Sequence, residues 1–528
     1  MKKHIIRAIT LCLVLLMTLP MLFACTIDKA EDPSKDTGAP DDIVIDTGNG
    51  TNDNGEVDER TKYLPKRIDY DGATFTIVHD LQEKKQYIAP VEGAAMAADP
   101  INMAFTKRNA MLESYYGIKV KVVDLDTLYA VKDELEIAVM TNSDFADAVF
   151  SVAGSILSPA VSNGYVLDLN TLEELNLEAS YYDQRIQKDY LIEGKLFCIE
   201  GDFNVHDELR THVVGINKSI YKNLHYDETY GSPYELVRNK KWTLDLMLKM
   251  AKDTSDFASL GSGMTIDSKW GIISETPFPY VVYLGTGNKI IEVDDTGALS
   301  CIFADESKYS QTVEIISECV EKIFENPEIL IADKSEGVLS NSYWSEAQRM
   351  FANGQALFRT STLSDFTQYR DMKDEFGILP APLYVEGQPE YYSWCSGMAH
   401  SPLLIPRTAE IHKDRTANIV EGMAYFSKYM SGSSLSVLDA FYEKMTHAKL
   451  CRSAEDYEML ELIFANKTFD IDYAFNLSGT CWKIGTCADS SDYSVPSFLE
   501  AYRQKMTNTD PETNPMLKLI NNMWKHYS

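Results

Sequence analysis

Polar side chains follow two runs of residues that are typical of buried strands. The run ATFTIVHD ends on His79 and Asp80, and the run ADAVFSV leads directly into the segment Ser151–Gly154. In open α/β sheets, ligands bind at the carboxyl ends of the strands. Carboxylate, guanidinium and hydroxyl groups pair with sugar hydroxyls, and aromatic rings pack against the C–H face of a sugar. These positions therefore indicate a site for a polar, hydroxyl-rich ligand.

The motifs of the common enzyme classes are missing from the sequence. It has no HExxH, no G-x-S-x-G elbow and no Walker loop, and GTGNKI lacks the third glycine of a dinucleotide fingerprint. The nine histidines do not cluster at the spacing of metal ligands, so no metal and no cofactor is expected. The acidic residues are so numerous that a pair of carboxylates acting as a glycosidase dyad stays open as an alternative.

The elements that must position these residues alternate between strands and helices. The order is strand (ATFTIVHD), helix (INMAFTKRNAMLESYYG), strand (IKVKVVD), helix (DTLYAVKDELEIAVMTN) and strand (ADAVFSV). This order predicts a parallel sheet with right-handed crossovers. Further on, HVVGINKSIY indicates a strand that runs into a helix, and Thr243 is a plausible N-cap for the helix in KKWTLDLMLKMAKD.

Length and charge narrow the class of protein. A chain of 528 residues is too long for one ordinary core, so two lobes are expected. The formal net charge of -30 argues against nucleic acid as a partner, because nucleic-acid binding needs a basic surface.

The N-terminus predicts export and lipid attachment. A basic head (MKKHIIR) precedes the apolar run Ala8–Ala24, which is short for a membrane span and typical of a signal peptide. The sequence Leu22-Phe23-Ala24-Cys25 resembles the lipobox of bacterial lipoproteins, although Phe23 departs from the usual small residue. The resemblance implies cleavage after residue 24 and acylation of Cys25. A plain signal peptide without lipid is the alternative.

The segment after Cys25 predicts a tether. Residues 25–64 are rich in Asp, Gly, Thr, Asn and Pro and hold few aliphatic residues, so most of the segment is expected to be disordered. Such a segment would lift the folded domain off the membrane surface.

The cysteines do not indicate a metal site. After Cys25 they are Cys198, Cys301, Cys319, Cys395, Cys451, Cys481 and Cys487, an odd number without zinc-ligand spacing. Cys319 lies on the apolar face of TVEIISECVEKIF and is expected in the core. Only Cys481 and Cys487, in CWKIGTC, are close enough in sequence to suggest a local disulfide.

Several motifs, taken in order, resemble a known family. They are FADAVFSVAGSILSPAVSNGYVLDLNTL, EGKLFCIEGDFN with VVGINKSIYKNL, KWTLDLMLKMAKD, FANGQALFRTST and DEFGILPAPLYVEGQPEYYSW. Together they resemble the extracellular solute-binding proteins of bacterial ABC importers, in the group that includes maltose-binding protein. The resemblance implies a two-lobed periplasmic-binding-protein-like type II fold, with the ligand bound in a cleft between two α/β lobes that a hinge joins.

The resemblance also implies the lobe boundaries and the site. The N-terminal lobe would comprise residues 65–208 and 383–436, and the C-terminal lobe residues 215–376 and 444–528. Crossings between the lobes would lie near Leu209–Val214, Gly377–Pro382 and Val437–Glu443. The implied ligand-binding residues are Asp80, Ser151, Asp202, Arg210, Phe278, Tyr280, Thr360, Ser361, Trp394 and Trp482. For Phe278 a place in the core is an equal alternative, whereas the small polar neighbours of Trp394 and Trp482 predict loops.

The implied function is non-catalytic capture of a carbohydrate, with an oligosaccharide as the expected ligand. The partners would be the transmembrane subunits of an ABC permease and, through lipid on Cys25, the outer face of the cell membrane. A monomer is expected. Two alternatives stay open: a surface-anchored enzyme acting on polysaccharide, and a binding protein for a peptide or another solute.

Overall fold

Two separate β-sheets organise the chain. The computed structural model describes residues 57–80, 88–91, 98–125, 127–260, 263–335, 338–340, 342–430, 432, 434–447, 450, 453–487 and 494–528. The strands in chain order are β1 (Thr74–Asp80), β2 (Lys119–Leu125), β3 (Ala148–Phe150), β4 (His212–Asn217), β5 (Trp270–Ser274), β6 (Ile291–Val293), β7 (Leu299–Cys301), β8 (Ile329–Ile331), β9 (Ala356–Thr362), β10 (Phe376–Leu379), β11 (Ser393–Trp394), β12 (Leu403–Leu404) and β13 (Lys467–Thr468).

Helices surround both sheets. In chain order they are α1 (Glu59–Lys62), α2 (Pro100–Tyr116), α3 (Leu128–Thr141), α4 (Ala153–Ser162), α5 (Gln184–Asp189), α6 (His206–Leu209), α7 (Lys218–Asn223), α8 (Tyr226–Tyr230), α9 (Pro233–Arg238), α10 (Leu244–Thr254), α11 (Phe257–Leu260), α12 (Phe278–Gly285), α13 (Glu306–Phe324), α14 (Tyr343–Ala352), α15 (Leu363–Phe366), α16 (Lys413–Lys428), α17 (Val437–His447), α18 (Ala454–Ala465), α19 (Ile471–Ala474), α20 (Thr480–Thr486), α21 (Val495–Met506) and α22 (Pro515–Trp524). In the described part of the chain, no helix combines the length and the apolar character that a membrane crossing requires.

The sheet of the first lobe has the parallel core that the sequence predicts. Its strand order is β12-β3-β1-β2, and β1 pairs in parallel with both β2 and β3. Strand β12 comes from much later in the chain and pairs antiparallel with β3. The inner strand β3 is apolar and buried along its whole length, which is typical of parallel α/β sheets.

The sheet of the second lobe is mixed. Its strand order is β10-β4-β9-β5-β8, with β4 antiparallel to β9 and β10, and β5 parallel to β8 and β9. The predicted helix start at Thr243 is confirmed, since its hydroxyl accepts a hydrogen bond from the amide of Leu246 at 3.3 Å.

A buried cation lies within this second sheet. The guanidinium of Arg359 on β9 is fully buried and forms ion pairs with Glu275 and, at 3.1 Å, with Asp365. Tyr369 also donates to Asp365, at 2.9 Å. Burial raises the pKa of Glu275 to about 7, although the neighbouring Arg359 opposes that rise. One arginine therefore compensates the buried negative charges of two carboxylates.

A second buried cation lies where the chain passes between the lobes. There Thr211 pairs with Cys395, and the short strands β11 and β13 pair in parallel. The ammonium group of Lys467 on β13 contacts Asp207, Glu208 (3.1 Å) and Asp183 (3.2 Å). Burial alone would lower the pKa of Lys467, but these carboxylates raise it well above its usual value. The ion cluster of Lys467 thus joins three distant segments of the chain.

The end of the predicted tether differs from the sequence-based expectation. The predicted signal peptide (1–24), Cys25 and residues 25–56 of the tether lie outside the described residues. The rest of the predicted tether is packed, because α1 forms within it and Tyr63 is buried against Tyr181 at a ring distance of 6.3 Å.

The predicted local disulfide between Cys481 and Cys487 is wrong. Cys481 and Cys487 are both free thiols. They are separated by six residues along one helical segment, a rise of about 9 Å, whereas a disulfide needs closer Cα atoms. The placement of Cys319 in the core is confirmed.

The lobe boundaries stay a prediction, with two points of difference. The expected third crossing, Val437–Glu443, lies inside α17, which packs against α2 of the first lobe. The last helix, α22, belongs to the segment 444–528 that is expected in the C-terminal lobe, yet it packs against α4 of the first lobe.

The Arg359 ion cluster leads to a pH-dependent prediction. In Arg359→Leu, Glu275 and Asp365 lose their buried cation, so unfolding at pH 7.5 should need about 3–5 kcal/mol less free energy than in the wild type. The folded-state pKa of Glu275 is already raised above its usual value and should rise further in the variant. A carboxyl group with a raised folded-state pKa stabilises the fold in its protonated form, so the deficit should shrink as the pH falls from 7.5 to 5.

Urea unfolding at both pH values measures this effect. Arg349→Leu is the matched control, because Arg349 is exposed on α14, and it should change the unfolding free energy by less than about 0.5 kcal/mol. A deficit for Arg359→Leu that is the same at pH 5 and pH 7.5 would contradict the prediction.

Candidate functional site

The first lobe contributes a fixed carboxylate at the edge of its sheet. Because β1 and β3 run in parallel, their carboxyl ends meet and bring Asp80 next to Ser151. The carboxylate of Asp80 accepts hydrogen bonds from the Ser151 hydroxyl and from the Val152 amide, each at 2.9 Å. Burial raises the pKa of Asp80. His79, one residue earlier, is buried and contacts Asp124 at 2.7 Å. The predicted residues Asp80 and Ser151 thus form a polar corner at the start of α4.

The second lobe contributes hydroxyl groups at the edge of its own sheet. Thr360 and Ser361 lie near the end of β9, and the hydroxyl of Thr360 is 2.6 Å from that of Ser274 on β5. Both predicted residues are buried in this arrangement. The carbonyl of Thr360 accepts a hydrogen bond from Arg359 at 2.9 Å. The Arg359 ion cluster is therefore bonded directly to the backbone of this edge.

Arg210 connects the first crossing with the second lobe. One of its guanidinium nitrogens donates to the Ser364 hydroxyl at 3.0 Å, and its Nε donates to Nε2 of His206 at 3.3 Å. Burial, with a smaller contribution from His400, lowers the pKa of His206 to about 3, so its ring is neutral and can accept this bond. Arg210 is only half-buried, which leaves a positive group at the junction of the lobes.

Asp202 is placed apart from Arg210. It lines a polar cavity of about 440 Å³ with a wall that includes Asp183, Glu208, Phe464 and Lys467. Burial raises the pKa of Asp202 to about 7. The two residues that flank the first crossing in sequence therefore face different surroundings, because α6 turns the chain between them.

Aromatic rings form a continuous series beside the crossing. Trp394 stacks in parallel on His212 at 5.1 Å and meets the edges of Tyr280 (5.8 Å) and Tyr473 (5.6 Å). Tyr473 in turn contacts Trp482 at 6.1 Å. Trp394 is fully buried whereas Trp482 is 57% exposed, so the series runs from the interior to solvent.

The prediction of a loop at Trp394 is wrong. Trp394 lies in strand β11, which pairs with β13, and its ring is enclosed by the aromatic series. Among the residues that the structure describes, no acceptor bonds to its indole Nε1. The loop expected at Trp482 is also wrong, since that residue lies in helix α20. Small polar neighbours do not distinguish a loop from a short buried strand or a helix that starts at Thr480.

The two predicted aromatic residues of ETPFPYVVYLGTG lie in helix α12 and are both buried. Phe278 belongs to the large core cluster. Tyr280 uses its hydroxyl to donate to Asp470 at 2.7 Å, so its ring is held at the base of the aromatic series.

Sequence reasoning missed Tyr473. Its half-buried ring lies against two backbone segments, since a Cβ added at Gly154 or at Gly397 would be 3.2 Å or 2.8 Å from the ring. The amide of Gly154, in the first turn of α4, donates to the carbonyl of Gly397 at 2.9 Å. Tyr473 therefore connects the polar corner at Asp80 and Ser151 with the exposed Trp482. The only sequence signal was its position nine residues before Trp482.

The described side chains show no metal centre. Among the residues that the structure describes, no group of three or more His, Cys, Asp or Glu residues could hold a metal ion. What the arrangement offers is a set of fixed hydrogen-bonding groups from both lobes and a run of rings with one exposed end.

Comparisons with known proteins identify the fold. No protein-family model matches the sequence, and no curated protein matches it. Solved structures do match. An ABC substrate-binding protein of Listeria monocytogenes in complex with cycloalternan has a TM-score of 0.52 and 12% identity, over 82% of this chain and 98% of the other.

Two further structures match to the same extent. A cyclo/maltodextrin-binding protein in complex with maltotetraose has a TM-score of 0.52 and 12% identity, over 83% of this chain and 98% of the other. The GacH receptor of Streptomyces glaucescens, determined unliganded and with acarbose, has a TM-score of 0.50 and 14% identity, over 82% and 98%. The chain therefore has the two-lobed α/β fold of these three structures, as the resemblance of its motifs implies.

Proposed function

We propose that this protein is the substrate-binding component of an ABC importer and captures a carbohydrate, with an oligosaccharide as the favoured ligand. The observation that carries the proposal is the aromatic series at the junction of the lobes, whose outer ring, Trp482, is 57% exposed. Asp80 and Ser151 come from one lobe, Thr360 and Ser361 from the other, and Arg210 lies at the crossing between them. The rings of Tyr473 and Trp482 lead outward from this junction.

This combination suits a sugar better than a purely apolar or purely charged ligand. Carboxylate, hydroxyl and guanidinium groups match sugar hydroxyls, and an exposed indole matches the C–H face of a pyranose. The structures with the same fold hold cycloalternan, maltotetraose and acarbose, all of them carbohydrates. That likeness supports the class of ligand and leaves the particular sugar to experiment.

Capture in this fold proceeds by rotation of one lobe against the other. A ligand that contacts both polar edges favours the closed arrangement in proportion to its contacts with both. A permease in the membrane would then read the closed form. In this proposal the ligand leaves unchanged, so the alternative of a polysaccharide-active enzyme predicts a different product.

We further propose that the mature chain is anchored by lipid on Cys25 at the outer face of the cell membrane and acts there as a monomer. The basic head, the short apolar run and the residues before Cys25 support the anchor. Two acyl chains or more would be needed for stable anchoring, because one chain binds a bilayer only marginally.

One prediction of the proposed function concerns the ligand. A panel of mono- and oligosaccharides should contain a sugar that raises the free energy of unfolding by about 2.7 kcal/mol at a hundredfold excess over its Kd. Thermal unfolding detects the shift, and chromatography of the sugar afterwards should show no new reducing ends. Cleavage of the sugar would favour the enzyme, and the absence of any shift across the panel would favour a peptide or another solute.

Another prediction separates the contribution of Trp482 to ligand stacking from the contribution of Trp394 to folding. Trp482→Ala should weaken sugar binding about tenfold or more, which corresponds to about 1.4 kcal/mol of lost contact. It should cost little stability because its side chain is 57% exposed. Trp394→Ala differs, since removing a fully buried indole should destabilise the fold by about 3–5 kcal/mol whether or not a sugar binds.

Isothermal titration and urea unfolding of each variant measure these two effects. Trp344→Ala is the matched control, because Trp344 is 46% exposed on α14 and pairs only with neighbouring Tyr343 among the described rings. It should leave both affinity and stability near the wild-type values. Wild-type affinity in Trp482→Ala would remove Trp482 from the site.

A further prediction of the proposed function concerns the anchor. Mass spectrometry of the N-terminal peptide from membranes of the producing cell should show Cys25 as the first residue with a diacylglycerol on its sulfur. Cys25→Ser should release the protein into the soluble fraction. An unmodified N-terminus in the wild type would leave a plain signal peptide as the explanation.

A further inference from the structure

The C-terminal segment after α20, residues 494–528, contacts both lobes. It consists of helices α21 and α22 and a short end that includes Tyr527. Helix α21 packs against α13 of the second lobe, and α22 packs against α4 of the first lobe. A single stretch of chain therefore has an attachment on each side of the cleft.

The attachment to the second lobe combines apolar and charged contacts. Leu499 and Tyr502 of α21 are buried, and the ring of Tyr502 meets that of Phe303 at 5.6 Å. Arg503 contacts Glu306 at 2.6 Å, and its guanidinium lies 4.4 Å from the centre of the Tyr309 ring. Both partners of Arg503 belong to the N-terminal half of α13.

The attachment to the first lobe is made mainly by the last residues. Met516, Leu519 and Met523 of α22 are buried. The ring of Tyr527 lies 4.7 Å from that of Phe197, and its hydroxyl donates to the carbonyl of Val166 at 2.7 Å.

The joint between the two helices is stiff. Asn514, which is 2% exposed, caps α22 by accepting from the amide of Met516 at 3.0 Å. Its amide group donates back to the carbonyls of Met506 (2.8 Å) and Asn508 (2.9 Å) at the end of α21. One buried side chain therefore fixes the angle between the two attachments.

A second contact lies between the same lobes. The hairpin β6–β7 of the second lobe reaches α5 and its following turn, where Gly297 accepts from the amide of Glu193 at 2.8 Å. Lys289 contacts Asp189 at 2.6 Å. The segment 494–528 is thus one of several connections between the lobes outside the expected crossing segments.

We propose that residues 494–528 act as a strap that stabilises the arrangement of the lobes seen here and limits their opening. A rotation of one lobe against the other changes the distance between α4 and α13. Because the joint at Asn514 is fixed, such a rotation must break the contacts of Tyr527 or those of Arg503. The strap therefore adds a free-energy cost to the open form.

This inference rests on the proposed hinge motion, and it predicts a coupling between the C-terminal end and affinity. Releasing either attachment should populate more open forms, so a ligand that requires closure should bind about 5- to 20-fold more weakly, within the usual range of coupling between sites. The released residues do not need to touch the ligand.

Small-angle X-ray scattering of the sugar-free protein tests the strap independently of any ligand. Tyr527→Ala releases the first lobe and Arg503→Met releases the second, and both should increase the radius of gyration relative to the wild type. Arg503→Met is the safer variant for folding because the Arg503 side chain is partly exposed. Lys518→Met is the matched control, since Lys518 contacts Glu512 of the same segment. Urea unfolding confirms that each variant is folded.

The outcomes separate the strap from the proposed function. An unchanged radius of gyration in both folded variants would overturn the strap, even if a sugar binds. A smaller radius would also overturn it, because the segment would then hold the lobes apart. An increased radius with no sugar bound by the wild type would support the strap and count against the carbohydrate proposal alone.

Discussion

The buried ammonium of Lys467 is the interaction on which the relation between the lobes depends. It contacts Asp183, Asp207 and Glu208, three residues that precede the first crossing in sequence. Removing charges from water is costly, and mutual pairing offsets that cost only where the geometry is good. The fold therefore has to bring these four residues together or leave charges unpaired. Lys467 lies on β13, which pairs with β11, the strand that carries Trp394. By holding β13 in place, Lys467 therefore also fixes β11.

The candidate site has a similar arrangement of fixed polar groups on each side. In the first lobe, the carboxylate of Asp80 is held by a hydroxyl and an amide at the start of α4. In the second lobe, Arg359 supports the edge that carries Thr360. Under the proposed function, neither edge would have to reorganise when a ligand arrives, and the main adjustment would be the angle between the lobes. The proposed strap would act on that angle.

Ring burial decides which aromatic residues can serve the ligand. Trp394 and Tyr280 are enclosed and hold the base of the series, Tyr473 lies against the glycines of the first lobe, and Trp482 is exposed at the outer end. Stacking on a sugar needs an open ring face, so exposure, and not residue type, separates a ligand contact from a packing residue. The acidic surface contributes in another way, since it disfavours contact with anionic lipid except through an anchor.

The sequence by itself determined the local elements and the class of fold. The apolar runs that became β1 and β3, the alternating run of β2 and the helix start at Thr243 were readable because they depend on periodicity and on capping within a few residues. Motif order implied two lobes, and strand order placed Asp80 and Ser151 at the carboxyl ends of parallel strands. Only the tertiary structure decided the rest. The burial of Trp394, the role of Tyr473, the separation of Asp202 from Arg210 and the path of the C-terminal helix back to the first lobe depend on contacts between residues far apart in the chain. No local pattern encodes such contacts, because they are set by which surfaces remain to be covered once the two sheets have formed.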